Sequence, residues 1–238
     1  SSVNDAVKEI ADYQNGKKKP FNTGVDHLNE NLLGGIYLGD IILIAGLPAS
    51  GKTHLLKTIE DNLFALNPDS DIVLLRFNWE MSVRKLIARR LKNETGLKMT
   101  EILLKPPTNK PLFKSIIDKE RNGNIFHEEE PLTPEEFIEE VSDFCKEHAD
   151  KDGIIITIDH IALAKVKSGE KKSTIDRIVE ACLYLKQIYK NVTFIIISQL
   201  NRDIRDRTNI TELAPKPSDL YASSTMEFGA DLIICPHI

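Results

Sequence analysis

The chain has 238 residues, 41% of them hydrophobic, which is enough for one large globular domain with a substantial core and leaves a second full domain cramped. Its net charge of −5 gives no overall basic field, so contact with nucleic acid would need a local patch or a patch repeated across several subunits. Cys145, Cys182 and Cys235 are odd in number, widely spaced and set among apolar residues, which fits free thiols in a reducing compartment better than a disulfide or zinc framework.

The longest apolar runs are strand-sized and no cleavable leader pattern opens the chain, so the sequence reads as soluble and cytoplasmic, with no membrane partner. It begins at Ser1 and not at Met, as expected of a processed chain or of part of a longer gene product.

From the N-terminus, Val3, Ala6, Val7, Ile10 and Ala11 recur at helical spacing until Gly16-Lys17-Lys18-Lys19-Pro20 breaks the pattern. Residues 1–20 read as a short helix and tether, either packed on the chain's own core or docked as an arm on a neighbouring subunit. At residue 41 the period changes, because Ile41-Ile42-Leu43-Ile44-Ala45 is a continuous apolar run between Gly39 and Gly46, the signature of a buried parallel strand. Similar runs follow at 72–77, 154–158, 192–197 and 232–235, with a weaker one at 124–127. Between them lie helical patterns at about 53–66, 82–95, 111–121, 134–149 and 173–190. The fourth carries a start signal in Thr133-Pro134-Glu135-Glu136, where Thr133 can cap, Pro134 suits the first turn and Glu136 can complete a capping box. Strands alternating with helices predict right-handed crossovers and an α/β core of mostly parallel sheet flanked by helices over residues 21–238. Polar loops at 164–172 and 200–225 are long for a compact domain, which marks them as functional or mobile.

Between the strand at 41–45 and the next helix stands Gly46-Leu47-Pro48-Ala49-Ser50-Gly51-Lys52-Thr53, the G-x-x-x-x-G-K-[ST] phosphate loop in the context that motif requires. Glycines let main-chain N–H groups turn inward around phosphates, and the helix N-terminus adds its positive end. Lys52 reaches the β- and γ-phosphates of ATP and Thr53 ligates Mg²⁺, with Gly46, Pro48, Ala49, Ser50, Gly51 and His54 completing the cofactor-binding segment. Such a loop needs a metal-binding acid and a group that aligns the attacking water. Asp159 ends the run 154–158 and would emerge at the carboxyl edge of the sheet, as a metal ligand or as a plain strand-ending turn residue. The following residue is His160, not an acid, so the base must come from elsewhere. Glu80, beyond the strand at 72–77, reaches the same edge as a candidate general base, with helix capping as its alternative role.

With these segments in order, the chain resembles the ATPase domain of DnaB-like bacterial replicative DNA helicases, a RecA-like group of ring-forming motors. The resemblance rests on Phe21-Asn22-Thr23-Gly24-Val25-Asp26-His27-Leu28-Asn29 with Gly34-Gly35 and Gly39-Asp40, then the phosphate loop, Phe77-Asn78-Trp79-Glu80-Met81-Ser82 and Ile156-Thr157-Ile158-Asp159-His160. It continues through Ser198-Gln199-Leu200-Asn201-Arg202, Ser218-Asp219-Leu220 and Ala230-Asp231-Leu232-Ile233-Ile234. It implies that Glu80 polarises the attacking water, that Asp159 holds Mg²⁺ through water and that Gln199 senses the γ-phosphate. Read without it, Gln199 is also a polar residue that satisfies a strand end. The resemblance further implies that residues 1–20 are a linker helix packed on the adjacent subunit of a homo-oligomer, a hexameric ring around single-stranded DNA.

Departures from the family pattern are informative. Where Arg-Glu-Ser-Gly usually follows Ser-Asp-Leu, this chain reads Tyr221-Ala222-Ser223-Ser224, which removes a charged DNA contact and leaves Tyr221 as a stacking candidate. The chain ends at Ile238, ahead of the expected final strands and the trans-acting arginine finger, so weak hydrolysis is expected. A primase-interacting N-terminal domain is also not among these residues. The DNA-contact candidates in the two long loops are Lys165, Lys167, Lys171, Lys172, Arg202, Arg205, Arg207 and Tyr221, which read equally well as solvated surface. The readings that follow are a DNA-translocating helicase motor, a non-translocating RecA-like ATPase or regulatory module of a phage or mobile element, and a small-molecule kinase. The Gln199 segment and the lead-in at 21–40 speak against the kinase.

Overall fold

A computed structural model of the chain describes residues 3–106, 110–166, 171–201, 204, 214–220 and 224–236. In chain order the elements are α1 (Val3–Gln14), α2 (Asp26–Asn31), β1 (Ile41–Gly46), α3 (Lys52–Ala65), β2 (Ile72–Asn78), α4 (Val83–Thr95), α5 (Met99–Leu104) and α6 (Lys110–Glu120). Then come β3 (Ile125–Glu128), α7 (Pro134–Glu147), β4 (Gly153–Asp159), α8 (Lys171–Ile188), β5 (Val192–Gln199), α9 (Ser224–Gly229) and β6 (Leu232–Ile234), with short 3-10 turns at Ile161–Leu163 and Pro217–Asp219.

The six strands pair in the order β3-β2-β4-β5-β1-β6, and every neighbouring pair is parallel. Successive side chains of a strand point to opposite faces, so the continuous Ile/Leu/Val runs serve two cores at once. On one face Ile41, Leu43, Ala45, Ile154, Ile156 and Phe194 cluster with Phe137 and Val141 of α7 and Ile178 and Leu185 of α8. On the other, Ile42, Ile44, Leu74 and Ile155 cluster with Leu56, Ile59 and Leu63 of α3. Each of the buried Ile, Leu, Val and Phe side chains among these contributes about 1.5–3 kcal/mol relative to exposure. A third, smaller cluster of Leu91, Phe113 and Ile116 belongs to α4 and α6, packed with Ile87, Leu97 and Ile102.

The predicted start of α7 is observed: Thr133 Oγ1 accepts from the Glu136 N–H at 3.3 Å, and Glu136 Oε2 accepts from the Thr133 N–H at 2.8 Å. Lys171 and Lys172, expected in the loop 164–172, instead form the first turn of α8. No Gly or Pro separates them from the buried Thr174, Ile175 and Ile178, so the helix that those residues anchor runs back through both lysines. The short helices α2, α5 and α9 go beyond the helical patterns of the sequence, because six-residue segments show too little of a 3.6-residue period to be recognised. Among the described residues no helix is long and apolar enough to cross a membrane.

Candidate functional site

The phosphate loop sits where β1 gives way to α3. Two positions explain its composition. A Cβ on Gly46 would lie 2.3 Å from Ser50 Oγ, and Gly51, at φ +86°, occupies the left-handed region at the N-cap of α3. Ala49 also adopts a positive φ, of 66°. The Lys52 ammonium folds back over the loop and donates to the carbonyl oxygens of Gly46 at 2.9 Å and Leu47 at 2.8 Å. Burial lowers the proton affinity of this amine, opposed by the nearby Glu80 and Asp159. Ser50 Oγ is buried with no hydrogen-bond partner among the described residues.

The register of the sheet brings the other candidates to the same edge. Gly46 is level with Gln199 across the β1–β5 pair, and the Leu200 N–H donates to the Gly46 carbonyl at 3.3 Å. Asn78 is level with Asp159 across the β2–β4 pair, and just beyond it the Glu80 N–H donates to the Asp159 carbonyl at 3.2 Å. Because β2, β4, β5 and β1 are contiguous, Glu80, Asp159, Gln199 and the phosphate loop all emerge at the carboxyl edge. Asp159 is largely buried, and burial together with the carboxylates of Glu80 and Glu60 pushes its carboxyl up to about 7, against the pull of Arg89 and Lys52. Its Oδ1 has no hydrogen-bond partner among the described residues, which suits a ligand oxygen for a hard cation.

A cleft of about 200 Å³ runs from this edge between α3 and α4, lined by Thr53, His54, Glu80, Arg89, Thr157 and Asp159 among others. Arg89 belongs to no motif of the sequence. Its one signal is the helical spacing of Leu86, Arg89 and Asn93 after Glu80, which sets all three on the cleft side of α4.

The candidate DNA contacts are less gathered. Lys171 and Lys172 are exposed at the start of α8. Burial lowers the proton affinity of His160, and Lys52 and Lys171 add to that effect against Glu80, so the Lys171 charge is felt at the edge. Lys165 forms an ion pair with Glu136 of α7 at 3.5 Å. Arg202 and Tyr221 lie outside the described residues, as do Lys167, Arg205 and Arg207. The Ser218-Asp219-Leu220 segment folds back on the end of β5, since the Asn201 N–H donates to the Asp219 carbonyl at 2.7 Å and Leu200 bridges Leu220.

Residues 21–237 match the family described as DnaB-like helicase C terminal domain. The replicative DNA helicase DnaB of Buchnera aphidicola subsp. Baizongia pistaciae (strain Bp) is 29% identical over 221 residues, covering 90% of this chain and 45% of that protein. The replicative DNA helicase DnaB of Geobacillus stearothermophilus is 24% identical over 230 residues, covering 94% of this chain and 48% of that protein. Among solved structures, a DnaB-like replicative helicase, described with its interactions with primase, superposes with a TM-score of 0.75 at 20% identity over 98% of this chain and 56% of that one. A separate ATPase domain superposes with a TM-score of 0.79, also at 20% identity, covering 99% of this chain and 83% of that one. These likenesses give the fold, a RecA-like core. The chain spans about half the length of the curated relatives it matches.

Proposed function

Because the chain belongs to the DnaB-like helicase C-terminal domain family, we propose that it is an ATP-binding and ATP-hydrolysing motor domain that couples hydrolysis to movement along single-stranded DNA. The observation that carries this reading is the convergence of Lys52, Glu80, Asp159 and Gln199 on one edge of the sheet, around a phosphate loop with the backbone turns such a loop needs.

In this reading the Lys52 ammonium exchanges the carbonyls of Gly46 and Leu47 for phosphate oxygens of ATP, and the main-chain N–H groups of 49–53 cradle the same phosphates. Ser50 lies within that cradle and His54 follows it. Asp159 and the Thr53 hydroxyl would hold Mg²⁺, the orphaned Oδ1 of Asp159 and the position of Thr53 in the cleft both fitting that role. The cation, when bound, neutralises charge developing on the β- and γ-phosphates. Glu80, exposed at the mouth of the cleft, takes the proton of the attacking water. Gln199 lies level with Gly46 and is followed directly by the segment pinned to Asp219, so a change at the phosphates can pass into the loop after β5. Lys171, Lys172, Arg202 and Tyr221 are the DNA contacts of this proposal, and a ring of six copies is the assembly in which they would face one channel.

The test is ATP turnover by the chain with and without single-stranded DNA, alongside calorimetric ATP·Mg²⁺ binding by the wild type and Lys52→Ala. Binding abolished by the substitution and turnover raised by DNA are the expected results. Binding that survives Lys52→Ala overturns the site. Turnover indifferent to DNA leaves a non-translocating ATPase.

A further inference from the structure

β2 carries a charge where its pattern calls for an apolar side chain. Arg76 follows Ile72 and Leu74 at period two on the α3 face of the sheet, and it is fully buried. Its Nε lies 2.9 Å from Glu60 Oε2, and its Nη1 donates to Glu120 Oε2 at 2.6 Å. The other oxygen of Glu60 accepts from Thr157 Oγ1 at 2.8 Å. Glu120 Oε1 in turn accepts from Lys57 Nζ at 2.8 Å and from Arg90 Nη1 at 2.5 Å. Arg90 completes the set with a two-pronged contact to Asp61, at 3.0 and 2.9 Å.

The side chains of Glu60, Arg76, Arg90 and Glu120 are each less than a tenth exposed. Burying charge on that scale is a poor route to stability, since apolar residues of similar volume usually serve as well or better. What a buried network of paired charges supplies is one discrete arrangement of the elements it joins. Here those elements are the three that build the ATP site and the helical layer beside it. Glu60 belongs to the helix opened by Lys52 and Thr53, Thr157 precedes Asp159 on β4, and Arg76 leads through Asn78 to Glu80. Arg90 and Glu120 belong to α4 and α6, which keep a small core of their own. α4 begins directly after the Glu80-Met81-Ser82 turn, so its placement dictates where Glu80 stands.

We infer that Glu60, Arg76, Arg90 and Glu120 are positioning residues, a buried network that registers the α4–α6 layer against the phosphate-loop helix and so sets the rate of ATP turnover without touching nucleotide. The role rests on the ATPase reading of the site.

Trp79, the single tryptophan of the chain, reports on the outcome, since it is buried beside Glu80 with its ring 5.5 Å from Phe77 and 6.4 Å from Phe137. Two variants of the full chain are compared with wild type, Glu120→Gln and the apolar replacement Glu60→Met, Arg76→Met, Glu120→Leu, by thermal melting, ATP·Mg²⁺ affinity, kcat, KM and Trp79 emission. The expected result for both is affinity and KM within about twofold of wild type, kcat lower by roughly 10- to 100-fold, as a displacement of about 1 Å at a catalytic group produces, and a shifted Trp79 emission. The apolar variant is expected to melt no earlier than wild type, so its fall in kcat is not a loss of folded protein. An apolar variant with wild-type kcat and wild-type Trp79 emission overturns the positioning role and reduces the network to packing. A wild-type chain that neither binds ATP·Mg²⁺ nor turns it over overturns the functional reading of the site instead, and a Trp79 emission unmoved in both variants then overturns the positioning role as well.

Discussion

The main-chain N–H of Glu80 donates to the main-chain carbonyl of Asp159 at 3.2 Å. This bond extends the β2–β4 pairing past the last strand residues, Asn78 and Asp159, and ties the candidate base to the candidate metal ligand through backbone alone. The two carboxylates are therefore held near each other, and the charge of Glu80 raises the electrostatic cost of ionising Asp159.

Glu80→Gln keeps the length and the backbone bond and removes the ability to accept a proton. ATP·Mg²⁺ affinity is expected to stay within a few-fold of wild type, while single-turnover hydrolysis falls by about 10²–10⁴-fold. Hydrolysis near the wild-type rate would move the base elsewhere in the cleft.

As the candidate metal ligand, Asp159 should give nucleotide binding a pH dependence whose sign is fixed by its surroundings. Its carboxyl is pushed up to about 7 by burial and by Glu80 and Glu60, and a protonated carboxyl is a poor metal ligand. The Mg²⁺-dependent part of ATP affinity should fall as pH drops through 7, by up to about tenfold per unit below it, and should be flat above about pH 8. Titrations of Trp79 emission with ATP, with and without Mg²⁺, at three pH values measure it. In Asp159→Asn the slope should disappear along with most of the Mg²⁺ enhancement.

A separate window concerns stability. His127 on β3 is level with Arg76, and its Nδ1 lies 2.8 Å from Asn78 Nδ2, a contact that a neutral ring satisfies as acceptor. Burial and the charges of Arg76 and Lys57 lower its pKa from an ordinary 6.5 to about 4, with Glu120 and Glu129 acting the other way. With the folded pKa depressed, the unfolded chain binds the proton first on acidification, so the contribution of His127 is complete above about pH 6.5 and is lost as pH falls towards 4. Discounted for its partial exposure, the loss is about 1 kcal/mol, or about 2–4 °C in melting temperature. His127→Gln should melt with a shallower pH dependence across that interval. Glu120, which burial alone would raise, is held at about 2 by Arg76 and Lys57 and by hydrogen bonds from Lys57 and Arg90, so its own acid loss falls at lower pH.

The phosphate loop, the carboxyl edge of the parallel sheet and the strand ends, read at 77, 158 and 197 and found one or two residues further on at Asn78, Asp159 and Gln199, were legible because each depends on a short stretch of sequence: a fixed motif, or an apolar run and the residue that stops it. Arg89 and the Glu60–Arg76–Glu120–Arg90 network were not. Arg76 stands in a strand-like run where its charge looks like a flaw, and only the packing of α3, α4 and α6 over that face brings Glu60 and Glu120 to it from 16 and 44 residues away. Partners so distant in sequence leave no periodicity to read. The loop boundaries failed for a related reason, since Lys171 and Lys172 are helical by virtue of the buried face of α8 further along.

That relocation sharpens the DNA prediction. Lys171 and Lys172 are exposed on the first turn of a long helix, so their charges add to the positive end of its dipole, and the Lys171 charge acts on His160 at the sheet edge of the candidate ATP site. A nucleic-acid backbone passing that edge would meet both lysines, whereas Lys165 is already engaged with Glu136. With a net charge of −5, the chain carries no overall attraction for DNA, and binding by one copy should be weak. Changing Lys171 and Lys172 together to Ala should lower affinity for single-stranded DNA at all base compositions and flatten the plot of log affinity against log salt by about 0.7 for each phosphate no longer neutralised. Tyr221→Ala, if that ring stacks on a base, should cost roughly 1–3 kcal/mol with the salt slope unchanged, which separates charge pairing from stacking in one experiment. Three superimposable salt curves, for the wild type and both variants, would remove these residues from the DNA path and favour an ATPase that does not translocate.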